Sequence, residues 1–246
     1  MRYDRMRPDQ IQAAIAAKTP VVLPLGVMEH HGGHLPAGVD MLAVTEVLER
    51  LGDEVVVLPP FAYGAASHAV AGPEHGTTLH VDAGALVPFF EALCTALLKA
   101  GFRNVHAVIH HQSENIAQGM PTDLAFRLAA RNAIFRYLEA TRGAGWWGDR
   151  AMRDYYAQHA AGEDPFNWIR LHALFPKNDV FPFDHAGEGE TALMMALAPD
   201  TVDMARFADG GAPWWTETAP RATAEQGEGG VALAVAHLRR VLGLSD

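Results

Sequence analysis

The chain has 246 residues, 49% of them apolar, which suits one large domain with a sizeable core. Its net charge of −10 and pI near 5.7 argue against a nucleic-acid partner, because phosphate binding needs a basic face. The single cysteine, Cys94, excludes an intramolecular disulfide framework. It lies in the apolar run 89–98 and reads as a buried helical thiol rather than a nucleophile.

The elements follow in chain order. Pro8 to Lys18 reads as a short helix opened by a proline in its first turn. Val21 to Leu25 reads as a buried strand, and Leu42 to Leu51 as a helix stopped at Gly52. Val55 to Leu58 is a short strand ended by Pro59-Pro60, and Ala85 to Ala100 a helix followed by Gly101. Val105 to Ile109 is the next strand, and Thr122 to Arg142 a long amphipathic helix with an N-cap candidate at its start. Glu188 to Leu197 and Gly230 to Leu242 are the last helices. Strands alternating with helices imply an α/β fold: a single three-layer αβα domain with a mainly parallel central sheet. The aromatic-rich segment 143–184 shows little period and is expected to run over the sheet's edge, as a lid or an oligomer contact. The first residues, Met1 to Arg7, hold no apolar signal core, and no stretch approaches membrane-spanning length. A cytoplasmic protein with no membrane partner is the expectation.

Thirteen histidines is an unusual count, and many of them cluster at 30, 31 and 34; at 68, 75 and 80; at 106, 110 and 111; and at 185. The densest group is Glu29-His30-His31-Gly32-Gly33-His34-Leu35-Pro36-Ala37-Gly38-Val39-Asp40, directly after the first strand. Carboxylate and imidazole together suit zinc, manganese or iron, whereas calcium takes oxygen ligands. Glu29 and His31 are two apart, so in extended backbone they point the same way. The intervening loop, rich in glycine and proline, can fold back to bring Asp40 to the same point.

A second group, His110-His111-Gln112-Ser113-Glu114-Asn115, follows the strand ending at Ile109 and stands in the same topological place. Neighbouring parallel strands would deliver both groups to one sheet edge, where open α/β sheets place their chemistry. A third, Asp184-His185-Ala186-Gly187-Glu188-Gly189-Glu190-Thr191, opens a helix. Its glutamates also suit a helix N-terminus. A fourth, weaker group runs from Ser67-His68 to Pro73-Glu74-His75-Gly76-Thr77-Thr78.

Together these segments resemble the creatininase (creatinine amidohydrolase) family, from Val22 to about Ala196. The family's first signature, E-x-H-G-x-H-L-P-x-G-x-D, appears complete from Glu29 to Asp40, and its last, H-A-G-x-x-E-T, from His185 to Thr191. Its Gly-Thr loop corresponds to Gly76-Thr77. The middle signature departs. The family has N-G-H-G-G-N, or N-G-H-Y-E-N in creatininase itself; here His111 takes the histidine's place and Ile109-His110 replace Asn-Gly. The following Gln112-Ser113-Glu114-Asn115 is one residue longer than Tyr-Glu-Asn.

The resemblance implies two divalent metal ions, zinc or manganese with iron as a further option. One ion would take Glu29, Asp40 and a further carboxylate, either Glu114 or Glu190. The other would take His31, Asp40 and His111, with Asp40 bridging. A water between the ions would be the nucleophile. His185 corresponds to the family's proton-transfer histidine, and Glu114 is a second catalytic candidate. His30 and His34 are not expected to be ligands. His110, Ser67, Thr77 and Asp184 are candidates for substrate contact.

The implied activity is hydrolysis of a small cyclic or linear amide. Ring-opening hydrolysis of a cyclic ketone, such as an inosose, is the alternative within the family. The absence of an obvious basic phosphate cradle counts against a nucleotide substrate. A non-catalytic, metal-stabilised binding protein is a third reading, disfavoured because closed structural zinc sites favour cysteine. The resemblance also implies a homo-oligomer, a hexamer or smaller.

Overall fold

The computed structural model describes residues 1–72, 76–209 and 211–245. Four parallel strands form the sheet: β1 (Val21–Leu25), β2 (Val56–Val57), β3 (Val105–Ile109) and β4 (Ile169–Ala173), in the order β2-β1-β3-β4. Seven helices surround it: α1 (Pro8–Ala16), α2 (Val39–Glu49), α3 (Ala83–Ala100), α4 (Pro121–Arg142), α5 (Tyr155–Ala161), α6 (Glu188–Leu197) and α7 (Ala224–Leu242). β1 and β3 run in register from Val21↔Val105 to Leu25↔Ile109. All five residues of each are buried, as a central parallel strand requires.

The alternation along the strands sorts the core into two layers. Val21, Leu23, Leu25, Val105, Ala107 and Ile109 pack beneath α3 and α4 with Phe90, Phe126 and Leu138. Val22 and Val108 face the other way, toward Val44 and Leu48 of α2, Leu193 of α6 and Leu238 of α7. The architecture is the expected three-layer αβα sandwich. Pro24, unusual in an inner strand because it lacks an N–H, lies past the last β1–β2 pair, Val22↔Val57.

Several boundaries move from the expectation. α2 begins at Val39, three residues before the apolar period starts, and so carries Asp40 in its first turn. The start of α4 is closed by Asp123, whose carboxylate accepts from the Met120 N–H at 2.9 Å. Thr122 is not a cap: its hydroxyl accepts from the Ala65 N–H at 2.8 Å. α3 is by length and composition apolar enough to cross a membrane, contrary to the expectation that no stretch is. It packs instead through Leu86, Phe90, Cys94, Leu97 and Leu98. Burial there pushes the Cys94 thiol up to about 12, as suits an inert core residue.

Segment 143–184 is not wholly an excursion. Ile169–Ala173 is the edge strand β4, paired with β3 from Val105↔Ile169 to Ile109↔Ala173. It escapes pattern recognition because its middle three residues, Arg170, Leu171 and His172, are only partly buried. Trp146 and Tyr155 pack into the core, while Phe175 and Phe181 extend the opposite layer.

α7 begins at Ala224 rather than Gly230, capped by the Thr223 hydroxyl at 3.2 Å from the Gln226 N–H. Its early glycines hide the helix in the sequence and serve packing in the fold. A Cβ on Gly227 would lie 1.9 Å from the Ala192 carbonyl of α6, and one on Gly230 would lie 2.5 Å from the Phe181 ring. Gly229 meets nothing within 4 Å. Gly229→Ala should therefore raise stability by about 0.5–1 kcal/mol from helix propensity alone. Gly227→Ala, the same chemical change two residues away, should lower the urea midpoint instead, because α6 and α7 must separate.

Candidate metal centre

The chain leaves β1 for β2 on one side of it, and β3 pairs with it on the other. The β1–β3 boundary is thus the point where strand order reverses, the usual site of chemistry in an open α/β sheet. Glu29 and His31 follow β1, and His110 and His111 follow β3. Two helix N-termini meet them: Asp40 lies in the first turn of α2 and Glu190 in the first turn of α6. Both carboxylates sit where a helix dipole favours negative charge.

The loop after β1 folds back as expected. The Glu29 N–H donates to the Ala37 carbonyl at 2.9 Å, and the Gly32 backbone turns through a left-handed conformation at φ 74. A side chain on Gly33 would strike the Arg206 carbonyl at 2.5 Å, so the loop is closely covered from that side.

Glu29, His31, Asp40, His111 and Glu190 are all buried, Asp40 to 1% exposure. The Asp40 carboxylate is split between two histidines: Oδ1 lies 3.6 Å from His111 Nδ1, and Oδ2 lies 3.6 Å from His31 Nε2. Glu29 Oε2 stands 3.4 Å from His111 Nδ1, and Glu190 Oε2 stands 3.4 Å from His31 Nε2. Among the described residues three compact donor groups result: Glu29–Asp40–His111 and His31–Asp40–Glu190, which share Asp40, and Glu29–His31–His185.

His31 and His111 stand on opposite oxygens of Asp40, and the carboxylate beside His31 is that of Glu190.

The donor atoms fit cations better than they fit one another. Glu29 Oε2, His31 Nε2 and Asp40 Oδ2 are buried without hydrogen-bond partners. Bonds of about 2.0–2.2 Å to a tetrahedral ion would hold its ligand atoms roughly 3.3–3.6 Å apart, close to the separations seen. His31 is set for this role, because its Nδ1–H donates to the Glu29 carbonyl at 3.0 Å and leaves Nε2 with its lone pair toward the group.

The electrostatics show what the carboxylates do without an ion. Burial alone would force Asp40 toward the neutral form, yet the His111 hydrogen bond and the charges of His111, His31 and His110 hold it well below the usual carboxylate range. Burial likewise opposes ionisation of Glu190, and His31 and His110 overcome it. Burial would depress His111, but Asp40 and Glu29 drive it up to about 10. His110, burial notwithstanding, is raised by Glu190, whose Oε1 lies 3.1 Å from its Nε2. Protons on histidine thus stand in for metal charge.

His185 borders the cluster. Its Nε2–H donates to the His30 carbonyl at 2.8 Å, and its Nδ1 lies 3.8 Å from Glu29 Oε2. The edge of Trp215 packs on its ring at 4.8 Å. Trp215 had no sequence signal, since it lies 24 residues beyond the last motif. His185, His110 and Glu190 open onto a cavity of about 210 Å³, whose apolar wall is Phe175, Phe181, Pro182, Phe183 and Leu193. That wall was hidden in the aromatic-rich segment.

The remaining candidates fall elsewhere. Glu114 is exposed at the cavity rim and belongs to none of the donor groups. Asp184 borders the cavity, but its carboxylate is spent on the N-terminus of α6, accepting from the Gly189 N–H at 2.7 Å and from Gly187 and Glu190 at 3.2 Å. Ser67 does not reach the cavity; it is exposed, and its N–H donates to His80 Nδ1 at 2.9 Å. Thr77 does not line it either, and its hydroxyl instead meets His30 Nδ1 at 3.0 Å. His34 is structural, with Nε2 at 3.0 Å from the Thr191 hydroxyl. Pro73, Glu74 and His75 of the fourth sequence group lie outside the described residues.

Comparison with known proteins now decides the family. The family model for creatininase, creatinine amidohydrolase, matches residues 4–242. The chain belongs to the creatininase family. The creatinine amidohydrolase of Pseudomonas putida is 28% identical over 207 residues, covering 81% of this chain and 73% of that protein. A crystal structure of creatinine amidohydrolase (creatininase) superposes with a TM-score of 0.68 at 21% identity, over 98% of this chain and 96% of that one. A putative creatinine amidohydrolase from Bacteroides fragilis gives 0.54 at 20% identity, over 91% and 88% of the two chains. These likenesses show the fold, and the family match shows a hydrolase of the amidohydrolase type with metal-binding residues at its centre.

The stand-in protons carry a testable consequence. His111 is raised above its ordinary 6.5, so its stabilisation of the metal-free protein is full below that value and is lost as pH rises through about 10. Asp40 is depressed, so its share is present above about 4 and is lost in acid. The melting temperature of the chelator-treated protein should therefore fall as pH rises from about 6.5 toward 10. Zinc should remove the alkaline fall, and calorimetry in buffers of different ionisation enthalpy should record proton release on zinc binding at pH 7.

Proposed function

We propose that this creatininase-family hydrolase holds two divalent metal ions and hydrolyses a small cyclic or linear amide. The observation that carries the reading is the pair of buried donor groups sharing Asp40. Glu29, Asp40 and His111 would hold one ion, and His31, Asp40 and Glu190 the other. Both ions are zinc or manganese: similar folds are described as a creatininase with Mn and as a Zn-Zn type creatininase variant. Bound there, such ions lower the pKa of a water toward about 7 and polarise a carbonyl.

The chain's own residues do the rest. His185 turns its Nδ1 toward Glu29 of the cluster while its Nε2–H is committed to the His30 carbonyl. It therefore accepts a proton from the attacking water at Nδ1 and returns it to the departing amide nitrogen. Trp215 keeps the ring in that orientation. His110, anchored on Glu190 and facing Phe175, borders the cavity and contacts the substrate. A volume of about 210 Å³ lies below the usual range for drug-sized ligands, so the substrate is small. A creatininase variant of similar fold is described in complex with creatine, itself a small molecule.

The amide reading is preferred to ring opening of a ketone because the matched family and the Pseudomonas putida relative are both described as creatinine amidohydrolase. Activity of the zinc-loaded protein against small lactams, formamides and amides tests it, and turnover of cyclic ketones alone would overturn it. His185→Ala should lower kcat by about 10²–10⁴ while metal content stays unchanged. Glu190→Gln should instead reduce the zinc bound per chain, measured by atomic absorption; full zinc content in that variant would refute the second donor group.

A further inference from the structure

The two oxygens of Glu190 have different duties. Oε2 accepts from the Ala186 N–H at 2.7 Å and lies 3.4 Å from His31 Nε2, within the donor group. Oε1 turns the other way and lies 3.1 Å from His110 Nε2. One oxygen thus faces the cluster, and the other faces an imidazole.

His110 is itself fixed in place. Its carbonyl accepts from the Ser113 hydroxyl at 2.8 Å and from the Ser113 N–H at 3.2 Å. Its ring packs against Phe175, with centroids 5.7 Å apart. The His110 and Glu190 side chains are each only 9% exposed, so water competes little for Oε1. The glycine that the family signature has in place of His110 would leave that oxygen without an imidazole.

A carboxylate that chelates an ion needs both oxygens turned toward it, and Glu190 turns one. With His31 and one oxygen of Asp40 it makes a group of three donors, which a single water completes to the tetrahedral set of zinc. Manganese favours octahedral, oxygen-rich surroundings, and a chelating carboxylate is one way to approach them.

We propose that His110 is a positioning residue that restricts Glu190 to a single metal-facing oxygen, and so makes the His31–Asp40–Glu190 group select zinc over manganese. The inference rests on the two-ion reading and concerns the ion rather than the substrate.

The test titrates the metal-free full chain with zinc and, separately, with manganese, each in competition with a chelator of known affinity. The binding step lost in His31→Ala marks the group. At that step His110→Ala should narrow the preference for zinc about tenfold. His110→Gln, whose amide N–H has a similar reach, should keep the wild-type preference. Cobalt in the same group should report the geometry: strong visible absorption, typical of four-coordinate cobalt, in wild-type protein and His110→Gln, and weak absorption in His110→Ala. An unchanged ratio of zinc to manganese affinity in His110→Ala, or an equal loss of both metals, would overturn the assignment and leave the two-ion reading standing. A single binding step in wild-type protein would sink both.

Discussion

The Asp40 carboxylate is the point on which the site turns. It is buried to 1% exposure, and its two oxygens face histidines from two different strand ends, His31 and His111. A buried anion of this kind is tolerable only if charge is brought to both sides of it. Protonated His111 does so on one side in the metal-free chain. The first turn of α2 adds its own positive end. Every other arrangement near the sheet edge follows from supplying that compensation: β1 and β3 must be adjacent and parallel, and α2 must begin early enough to present residue 40.

Glu190 reaches the same cluster by the same device, a carboxylate in the first turn of a helix. Its helix, α6, is fixed from behind by α7, which approaches closely only because Gly227 lacks a side chain. Gly230 of the same helix makes room for the Phe181 ring, and that ring forms part of the cavity wall. The glycines of α7 thus link packing to function at two points. One sets where the Glu190 carboxylate stands, and the other sets where the Phe181 ring of the cavity wall rests. Asp184 completes the support by tying the N-terminus of α6 with three backbone hydrogen bonds.

The middle motif shows how a small change in chain length redistributes roles. His111 keeps the position of a ligand, because it follows directly from the register of β3 against β1. Beyond it the chain enters an irregular turn, and the buried Ser113 rather than Glu114 faces inward. The carboxylate that stands beside His31 comes instead from α6, more than seventy residues later in the chain. A site of this type needs a charge at a point in space, and either segment can provide it.

The sequence by itself determined the fold class, the strand pair β1 and β3, and which carboxylates and histidines crowd at their ends. These are local properties: an unbroken apolar run reads as a buried strand, and a dense run of Glu, His and Asp beyond it has few other uses. It did not determine how the donors divide into groups, the choice of Glu190 over Glu114, the strand β4, or the contribution of Trp215. Those depend on which side of a carboxylate a distant histidine occupies, on the register of an edge strand with little apolar alternation, and on a tryptophan 24 residues past the last motif. Periodicity carries no information about such contacts, because they are made between segments that share nothing in the chain but the volume into which they pack.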